Sequence, residues 1–178
     1  MAMWVLLAGP PATGKSTLAR ALEGRLNATT LNKDLVRAAL FPGGMTDYTG
    51  EQDQLCMRAI LDAAAYLTAH KRAEFILFDG RAFSRRQQID EVLEAAERAG
   101  AAWRILELSC ADEVAQERLD CGDPANRAHP ARNRDMALYR QVKRDFEPIA
   151  RPKLHIDTTH GIDPELDAVL EYLRPTDG

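Results

Sequence analysis

The stretch Gly9–Thr17 follows a short apolar run and reads G-x-x-x-x-G-K-S-T. Glycines at this spacing let backbone N–H groups turn around a phosphate, and the helix that begins there directs its positive dipole end at the anion. In such a loop Lys15 reaches the β- and γ-phosphates of ATP, and the hydroxyl of Ser16 is a ligand of Mg²⁺. We therefore predict an ATP and Mg²⁺ site. The predicted nucleotide contacts in this loop are Gly9, Ala12, Thr13, Gly14, Lys15, Ser16 and Thr17.

Asp79 closes a continuous apolar run, Phe75–Phe78, that is typical of a strand buried on both faces. A Walker B carboxylate has this position, from which it holds Mg²⁺ through water or bonds to the serine of the loop. The alternative is an ordinary turn aspartate before Gly80. We predict Ser16 and Asp79 as the residues on the metal side of the site.

Asp34 and Arg37 lie one helical turn apart, just past the second predicted strand. A carboxylate there can accept the proton of an acceptor hydroxyl, and the arginine can bind a substrate group or the moving phosphoryl group. In the competing interpretation Asp34 is the N-cap of the helix and Arg37 is a solvated charge. We predict that both residues, with Lys15, are catalytic.

A basic region between Arg118 and Arg151 contains eight Lys or Arg residues, several of them around a segment with glycine and prolines. A mobile lid at approximately residues 120–134 would close over the phosphates, offset their charge and exclude water. The candidate lid arginines are Arg127, Arg132 and Arg134, of which Arg127 is our predicted catalytic residue. Taken alone, such a charge run is usually a solvated helix face.

Several other side chains allow two interpretations. Arg81 follows the Asp79 strand and is placed either at the acceptor or on the surface. The segment Asp157–Thr159 follows the last strand and is a candidate for framing the adenine. Trp4 and Trp103 are interpreted as core residues, and the histidines do not indicate a metal site.

Apolar patterning predicts strands and helices in alternation. The predicted strands are Trp4–Ala8, Ala28–Leu31, Phe75–Phe78, Trp103–Leu108 and Leu154–Asp157. The predicted helices are Gly14–Arg25, one that starts at Asn32-Lys33-Asp34 and is broken by Phe41-Pro42-Gly43-Gly44, Glu51–Arg72, one with a capping box from Ser84 and Gln87 that ends at Gly100, Asp112–Leu119, Asp135–Ile149 and one that starts at Asp163. This order predicts an α/β fold with a doubly wound five-stranded parallel sheet in a single domain, residues 1–178.

Composition fits one globular domain, since 46% of the 178 residues are hydrophobic and 28% are charged. The net charge of −4 disfavours a long nucleic acid or a membrane surface as the partner. Three cysteines lie far apart without C-x-x-C spacing, so neither a zinc site nor a disulfide framework is indicated. We see neither a signal peptide nor an apolar run long enough to span a membrane, and we expect a cytoplasmic protein.

These motifs together resemble the P-loop kinases of the polynucleotide kinase and zeta toxin-like group, which are small AAA-type ATP-binding kinases. The resemblance covers nearly the whole chain and implies a nucleoside-monophosphate-kinase-like P-loop NTPase fold with a mobile lid. It implies that the carboxylate matching Asp34 is the general base and that the arginine matching Arg37 assists on the substrate side. It also implies that the arginine matching Arg118 packs near the adenine, which adds Arg118 to the predicted nucleotide contacts.

The resulting hypothesis is an ATP-dependent phosphotransferase with Asp34 as general base. It moves the γ-phosphoryl group of ATP to a hydroxyl of a small-molecule, nucleoside-like or 5′-hydroxyl polynucleotide acceptor. The alternative is a nucleotide-dependent switch or ATPase that regulates a protein partner. Against a GTPase, Asn32-Lys33-Asp34 lacks the spacer of the N-K-x-D motif. The identity of the acceptor stays open.

Overall fold

The computed structural model describes residues 1–120 and 135–174, which contain a sheet of five parallel strands. The strand order across the sheet is β2-β3-β1-β4-β5. The strands are β1 (Met3–Ala8), β2 (Ala28–Asn32), β3 (Phe75–Asp79), β4 (Ala102–Ser109) and β5 (Leu154–Asp157). The predicted doubly wound α/β fold is therefore confirmed.

Helices follow the strands and cover both faces of the sheet. They are α1 (Lys15–Glu23), α2 (Lys33–Leu40), α3 (Gly50–Ala69), α4 (Arg86–Arg98), α5 (Asp112–Asp120), α6 (Met136–Arg144) and α7 (Leu166–Leu173), the last preceded by a 3₁₀ turn (Asp163–Glu165). Within residues 1–120 and 135–174, none of these helices combines the length and apolarity needed to cross a bilayer.

The helix predicted over Asp135–Ile149 ends earlier, at Arg144. Beyond that point the backbone N–H of Glu147 donates to the carbonyl oxygen of Ser84 at 2.9 Å. Ile149 is buried in the core on the side of the sheet that α4 covers. The chain leaves the helix before Pro148, because proline lacks an N–H donor and disfavours helical backbone at the residue before it.

The capping box predicted from Ser84 and Gln87 is wrong by one residue. Arg85 precedes the first residue of α4, and the side-chain oxygen of Gln88 accepts from the backbone N–H of Arg85 at 3.4 Å. Asp163 likewise opens the 3₁₀ turn and not the α-helix itself.

Two apolar clusters lie on opposite faces of the sheet. Alternate residues of β1 contribute to each, with Trp4 and Leu6 in the cluster beneath α3 and α4, and Val5 and Leu7 in the cluster beneath α1 and α7. All six residues of β1 are buried. Burial on both faces explains why this strand is apolar throughout and not alternating.

The polar residues that end the strands meet at one edge of the sheet. Asn32 ends β2 and Asp79 ends β3, and the two residues are register partners across the parallel pair. The phosphate loop leaves β1 at the same edge, because parallel strands place all their carboxyl ends together. The sheet therefore gathers side chains that are far apart in the sequence.

Leu6→Ala should lower the free energy of unfolding by about 2–5 kcal/mol, because the Leu6 side chain is fully buried in the central strand and its truncation leaves a cavity. Urea unfolding followed by circular dichroism measures the change. Leu40→Ala removes the same atoms from a side chain that is 51% exposed, so it should cost less than about 1 kcal/mol. Equal losses in the two variants would contradict this assignment of the core.

Candidate active site

The phosphate loop joins β1 to α1 and accepts only glycine at its first position. Gly9 has a φ of 138°, and a Cβ atom there would lie 2.3 Å from the carbonyl oxygen of Leu108. The loop ends at Gly14, directly before the first residue of α1. The predicted nucleotide contacts up to Thr17 therefore lie on one loop and the first turn of one helix, where backbone N–H groups suit an anion.

Lys15 is buried within this loop. Its ammonium donates to the carbonyl oxygens of Gly9 at 2.7 Å and Pro10 at 2.6 Å. These bonds hold the positive charge at the loop itself. The position agrees with the predicted contact between Lys15 and a bound phosphate.

Asp79 links the phosphate loop to the end of β2. Its Oδ2 accepts from the hydroxyl of Ser16 at 2.7 Å and from the Nδ2 of Asn32 at 2.8 Å. Its Oδ1 is buried and has no hydrogen-bond partner among the residues that the structure describes. A hydroxyl beside an unpartnered carboxylate oxygen matches the oxygen ligands that Mg²⁺ prefers. Across residues 1–120 and 135–174, no three His, Cys, Asp or Glu side chains form a metal cluster.

Asn32, and not Asp34, is the N-cap of α2. The Oδ1 of Asn32 accepts from the backbone N–H groups of Asp34 at 2.9 Å and Leu35 at 3.1 Å. The interpretation of Asp34 as the N-cap is therefore wrong. Because an amide side chain caps the helix, the carboxylate of Asp34 lies in the first turn and lines the adjoining cavity.

This cavity, of about 220 Å³, lies between the phosphate loop, the start of α2 and the residues after β3. Lys15, Asp34 and Arg37 all contribute to its lining. Arg37 is only 5% exposed, so the interpretation of this residue as a solvated charge is wrong. The fold thus brings the three predicted catalytic residues of the described chain into one space.

Arg37 is held by contacts on three sides. Its Nη1 lies 3.4 Å from Oδ1 of Asp34, and its Nη2 donates to Oδ1 of Asp53 at 2.6 Å. The ring of Tyr48 lies under the guanidinium group, 5.3 Å from its central carbon, within cation–π distance. These contacts fix the plane of the guanidinium group next to the predicted base.

Asp53, in the first turn of α3, is the main site residue that the sequence did not reveal. It forms ion pairs with Lys33, with Arg37 and, at 3.2 Å, with Arg81. Burial by itself raises the pKa of Asp53, but the surrounding cations outweigh this effect and leave the pKa below its usual value. Burial also lowers the pKa of Lys33, against the opposing attraction of Asp53. In the sequence Asp53 looks only like an acid at a helix start.

Arg81 belongs to the cavity and not to the outer surface. Its side chain is 10% exposed, lines the cavity and pairs with Asp53 and Glu91. The sequence left Arg81 either at the acceptor or on the surface, and its place in the cavity lining excludes the surface.

Arg118 lies against the phosphate loop. Its Nη1 donates to the carbonyl oxygen of Ala12 at 3.1 Å, and its Nη2 donates to that of Thr158 at 2.6 Å. The hydroxyl of Thr158 donates to the carbonyl oxygen of Thr13 at 2.9 Å, and its side chain is fully buried. Arg118 and Thr158 therefore support the loop from outside, and their contact with an adenine stays a prediction.

Of the remaining candidates, the structure describes the two tryptophans but not the lid arginines. Trp4 is fully buried, which confirms its core assignment, and its Nε1 donates to Thr68 at 2.9 Å. Trp103 is half-buried against the same cluster. The predicted lid arginine, Arg127, lies outside the described residues, as do Arg132 and Arg134.

The sequence matches the AAA_33 family profile, described as an AAA domain, over residues 4–149. A search of curated proteins finds no match. The fold of the chain is similar to those of several solved structures, among them a Chloroflexus aurantiacus protein that is proposed to be a kinase. That protein is 20% identical with a TM-score of 0.74, and the alignment covers 97% of this chain and 99% of the other.

Two further structures have similar folds. A sugar kinase from Janibacter sp. is 15% identical with a TM-score of 0.66, over 97% of this chain and 95% of the other. The Mycobacterium tuberculosis APS kinase CysC, in complex with AMPPNP and APS, is 17% identical with a TM-score of 0.65, over 97% of both chains. At these identities the similarity concerns the fold, and it agrees with the predicted P-loop arrangement.

Gly80→Ala should destabilise the protein by roughly 2 kcal/mol more than Gly100→Ala. Both glycines have a positive φ, of 82° and 68°, so both variants carry the strain of a left-handed alanine. At Gly80 a Cβ would also lie 2.9 Å from the backbone nitrogens of Lys33 and Asp34, whereas at Gly100 it meets nothing within 4 Å. Urea unfolding of the two variants measures the difference. Equal destabilisation would contradict the close packing of β3 against the start of α2.

Proposed function

The chain belongs to the AAA_33 family of AAA domains, and we propose that it is an ATP-dependent kinase. The γ-phosphoryl group of ATP moves to a hydroxyl of a small-molecule, nucleoside-like or 5′-hydroxyl polynucleotide acceptor. The observation that carries this proposal is that Lys15 and Asp34 line the same cavity. Phosphoryl transfer to an alcohol needs a cation at the phosphates and a base at the acceptor, and these two side chains supply both.

Asp34 is the general base in this mechanism. Its carboxylate accepts the proton of the acceptor hydroxyl while the alcohol oxygen forms a bond to the γ-phosphorus. The bond between that phosphorus and the bridging oxygen breaks, and ADP leaves with the electron pair. Lys15 offsets the negative charge of the phosphates, and Arg37 orients the carboxylate of Asp34 from 3.4 Å away. Arg127 adds positive charge from the lid, and Arg118 contacts the nucleotide.

Ser16 and Asp79 would hold Mg²⁺ on the donor side. The fit rests on Oδ1 of Asp79, a buried carboxylate oxygen that lacks a partner within the described part of the chain, beside the Ser16 hydroxyl. Mg²⁺ bound there would neutralise charge on the phosphates during transfer. The two side chains orient each other through their 2.7 Å hydrogen bond.

The similar folds support this class of reaction. A sugar kinase and an APS kinase share the fold, and the APS kinase structure contains the ATP analogue AMPPNP. The competing switch or ATPase hypothesis has no comparable support from the cavity, because a switch does not require a carboxylate base opposite the phosphate lysine.

Asp34→Asn should reduce phosphoryl transfer by a factor of about 10² or more and leave ATP binding nearly intact, because the amide keeps the shape of the side chain but cannot accept the proton. Steady-state transfer rates and calorimetric titration with ATP measure the two quantities. Asp167→Asn, an exposed change on α7, is the matched control and should leave both unchanged. Normal transfer by Asp34→Asn would remove its role as base.

An acceptor screen tests the kinase assignment directly. Wild-type protein is incubated with γ-labelled ATP, Mg²⁺ and panels of nucleosides, sugars, sugar nucleotides, antibiotics and 5′-hydroxyl oligonucleotides. We expect label on at least one acceptor class, and none with Lys15→Ala, because the phosphate cation is lost. If ATP hydrolysis rises only with a protein partner and no acceptor is labelled, the switch hypothesis replaces the kinase.

A further inference from the structure

The cavity is rich in positive charge. Among the described residues that line it, four side chains are cationic and two are carboxylates. Lys15 belongs to the phosphate loop, so the three cations that remain at the acceptor end are Lys33, Arg37 and Arg81. All three pair with the carboxylate of Asp53, while Arg37 also lies 3.4 Å from Asp34 and Arg81 lies 3.3 Å from Glu91.

These carboxylates do not satisfy all the donors that the three side chains carry. A guanidinium group has five N–H donors and an ammonium has three, whereas Asp53 offers two oxygens. Its Oδ1 is shared by Lys33 and Arg37, and its Oδ2 is 3.2 Å from Arg81. The Nε atoms of both arginines are buried without a hydrogen-bond partner in residues 1–120 and 135–174.

Burial makes these charges and their unpaired donors costly. Lys33 and Arg37 are 8% and 5% exposed, and a buried charge is destabilising unless it is paired and hydrogen-bonded. Glu91 pairs with Arg81 from outside the lining, but its side chain is 39% exposed and such a pair is screened by water. The environment therefore favours a further negative group inside the cavity.

We propose that the phosphoryl acceptor carries an anionic group (a phosphate, sulfate or carboxylate) beside its reactive hydroxyl, and that Lys33, Arg37 and Arg81 bind this group. The proposal rests on the kinase function proposed above and specifies its substrate class. Arg37 and the base are 3.4 Å apart, so an anion on Arg37 would hold a neighbouring hydroxyl near Asp34. Planar arginines also suit oxyanions, because they donate two parallel hydrogen bonds.

Inorganic sulfate is the probe for this site. Protein saturated with Mg²⁺ and AMPPNP, so that the phosphate loop is filled, is titrated with sulfate by calorimetry. Wild-type protein should bind one sulfate, and Arg81→Gln should weaken that binding by about tenfold or more, because a charge-assisted hydrogen bond is lost. Arg81→Lys, which keeps the charge, should weaken it less.

Arg86→Gln is the matched control. It removes the same charge from a nearby arginine whose side chain is 79% exposed and does not line the cavity. Sulfate affinity should change by less than about twofold, since water and salt screen an exposed charge. Equal AMPPNP affinity and thermal stability across the variants show that Arg81→Gln is folded.

The outcomes separate this inference from the kinase proposal. Failure of AMPPNP to bind would overturn both. Binding of AMPPNP without binding of sulfate, or sulfate binding that is unaffected by Arg81→Gln, would overturn only the anionic acceptor.

Matched acceptor pairs extend the test to catalysis. Each pair differs by one anionic group: a nucleoside and its 3′-phosphate, or glucose and glucuronate. The kcat/KM of the anionic member should exceed that of the neutral member by about tenfold or more in at least one pair, and Arg81→Gln should reduce this ratio. The pair with the larger ratio distinguishes a phosphate from a carboxylate. Transfer to neutral alcohols with no anionic preference would contradict the proposal while it upholds the kinase.

Discussion

The carboxylate of Asp79 is the contact on which the arrangement of the site depends. Its Oδ2 accepts from Ser16 at 2.7 Å and from Asn32 at 2.8 Å, so one atom joins the phosphate loop to the end of β2. Asn32 then caps α2 through its other side-chain atom, which places Asp34 in the first turn of the helix. Because these hydrogen bonds are partly buried, losing one partner would leave an unsatisfied polar group. These hydrogen bonds fix the position of the phosphate loop relative to Asp34, the predicted base.

A second constraint is electrostatic and lies on the side of the cavity where we propose that the acceptor binds. Asp53 gathers Lys33, Arg37 and Arg81, although taking so many charges out of water is costly. Here the cluster lies beside the predicted base, since Arg37 is 3.4 Å from Asp34. The low exposure of Arg37 and the stacking of Tyr48 leave the guanidinium group few alternative orientations. Rigid placement of this kind lowers the cost of ordering a substrate.

Patterns within short segments predicted most of the fold and identified the phosphate loop. The apolar runs of β1 and β3 identify buried parallel strands, and the glycine spacing before Lys15 identifies the loop, because both signals depend on neighbours in the chain. At two residues whose local pattern allowed two interpretations, the structure excludes one of them. Arg37 is buried and not solvated, and Asn32 rather than Asp34 caps α2.

The sequence by itself therefore determined the α/β architecture, the phosphate loop and the kinds of side chain, carboxylates and arginines, that accompany the loop. These follow from periodicity and from side-chain chemistry. Only the tertiary structure decided which distant charges meet. Asp53 contacts Arg37 and Lys33 across 16 and 20 residues, and Ser16 meets Asp79 across 63. No local periodicity encodes such pairs, because they arise from the order of strands in the sheet and from the packing of α3 against α2. The cluster around Asp53 is the part of the site that the fold alone reveals.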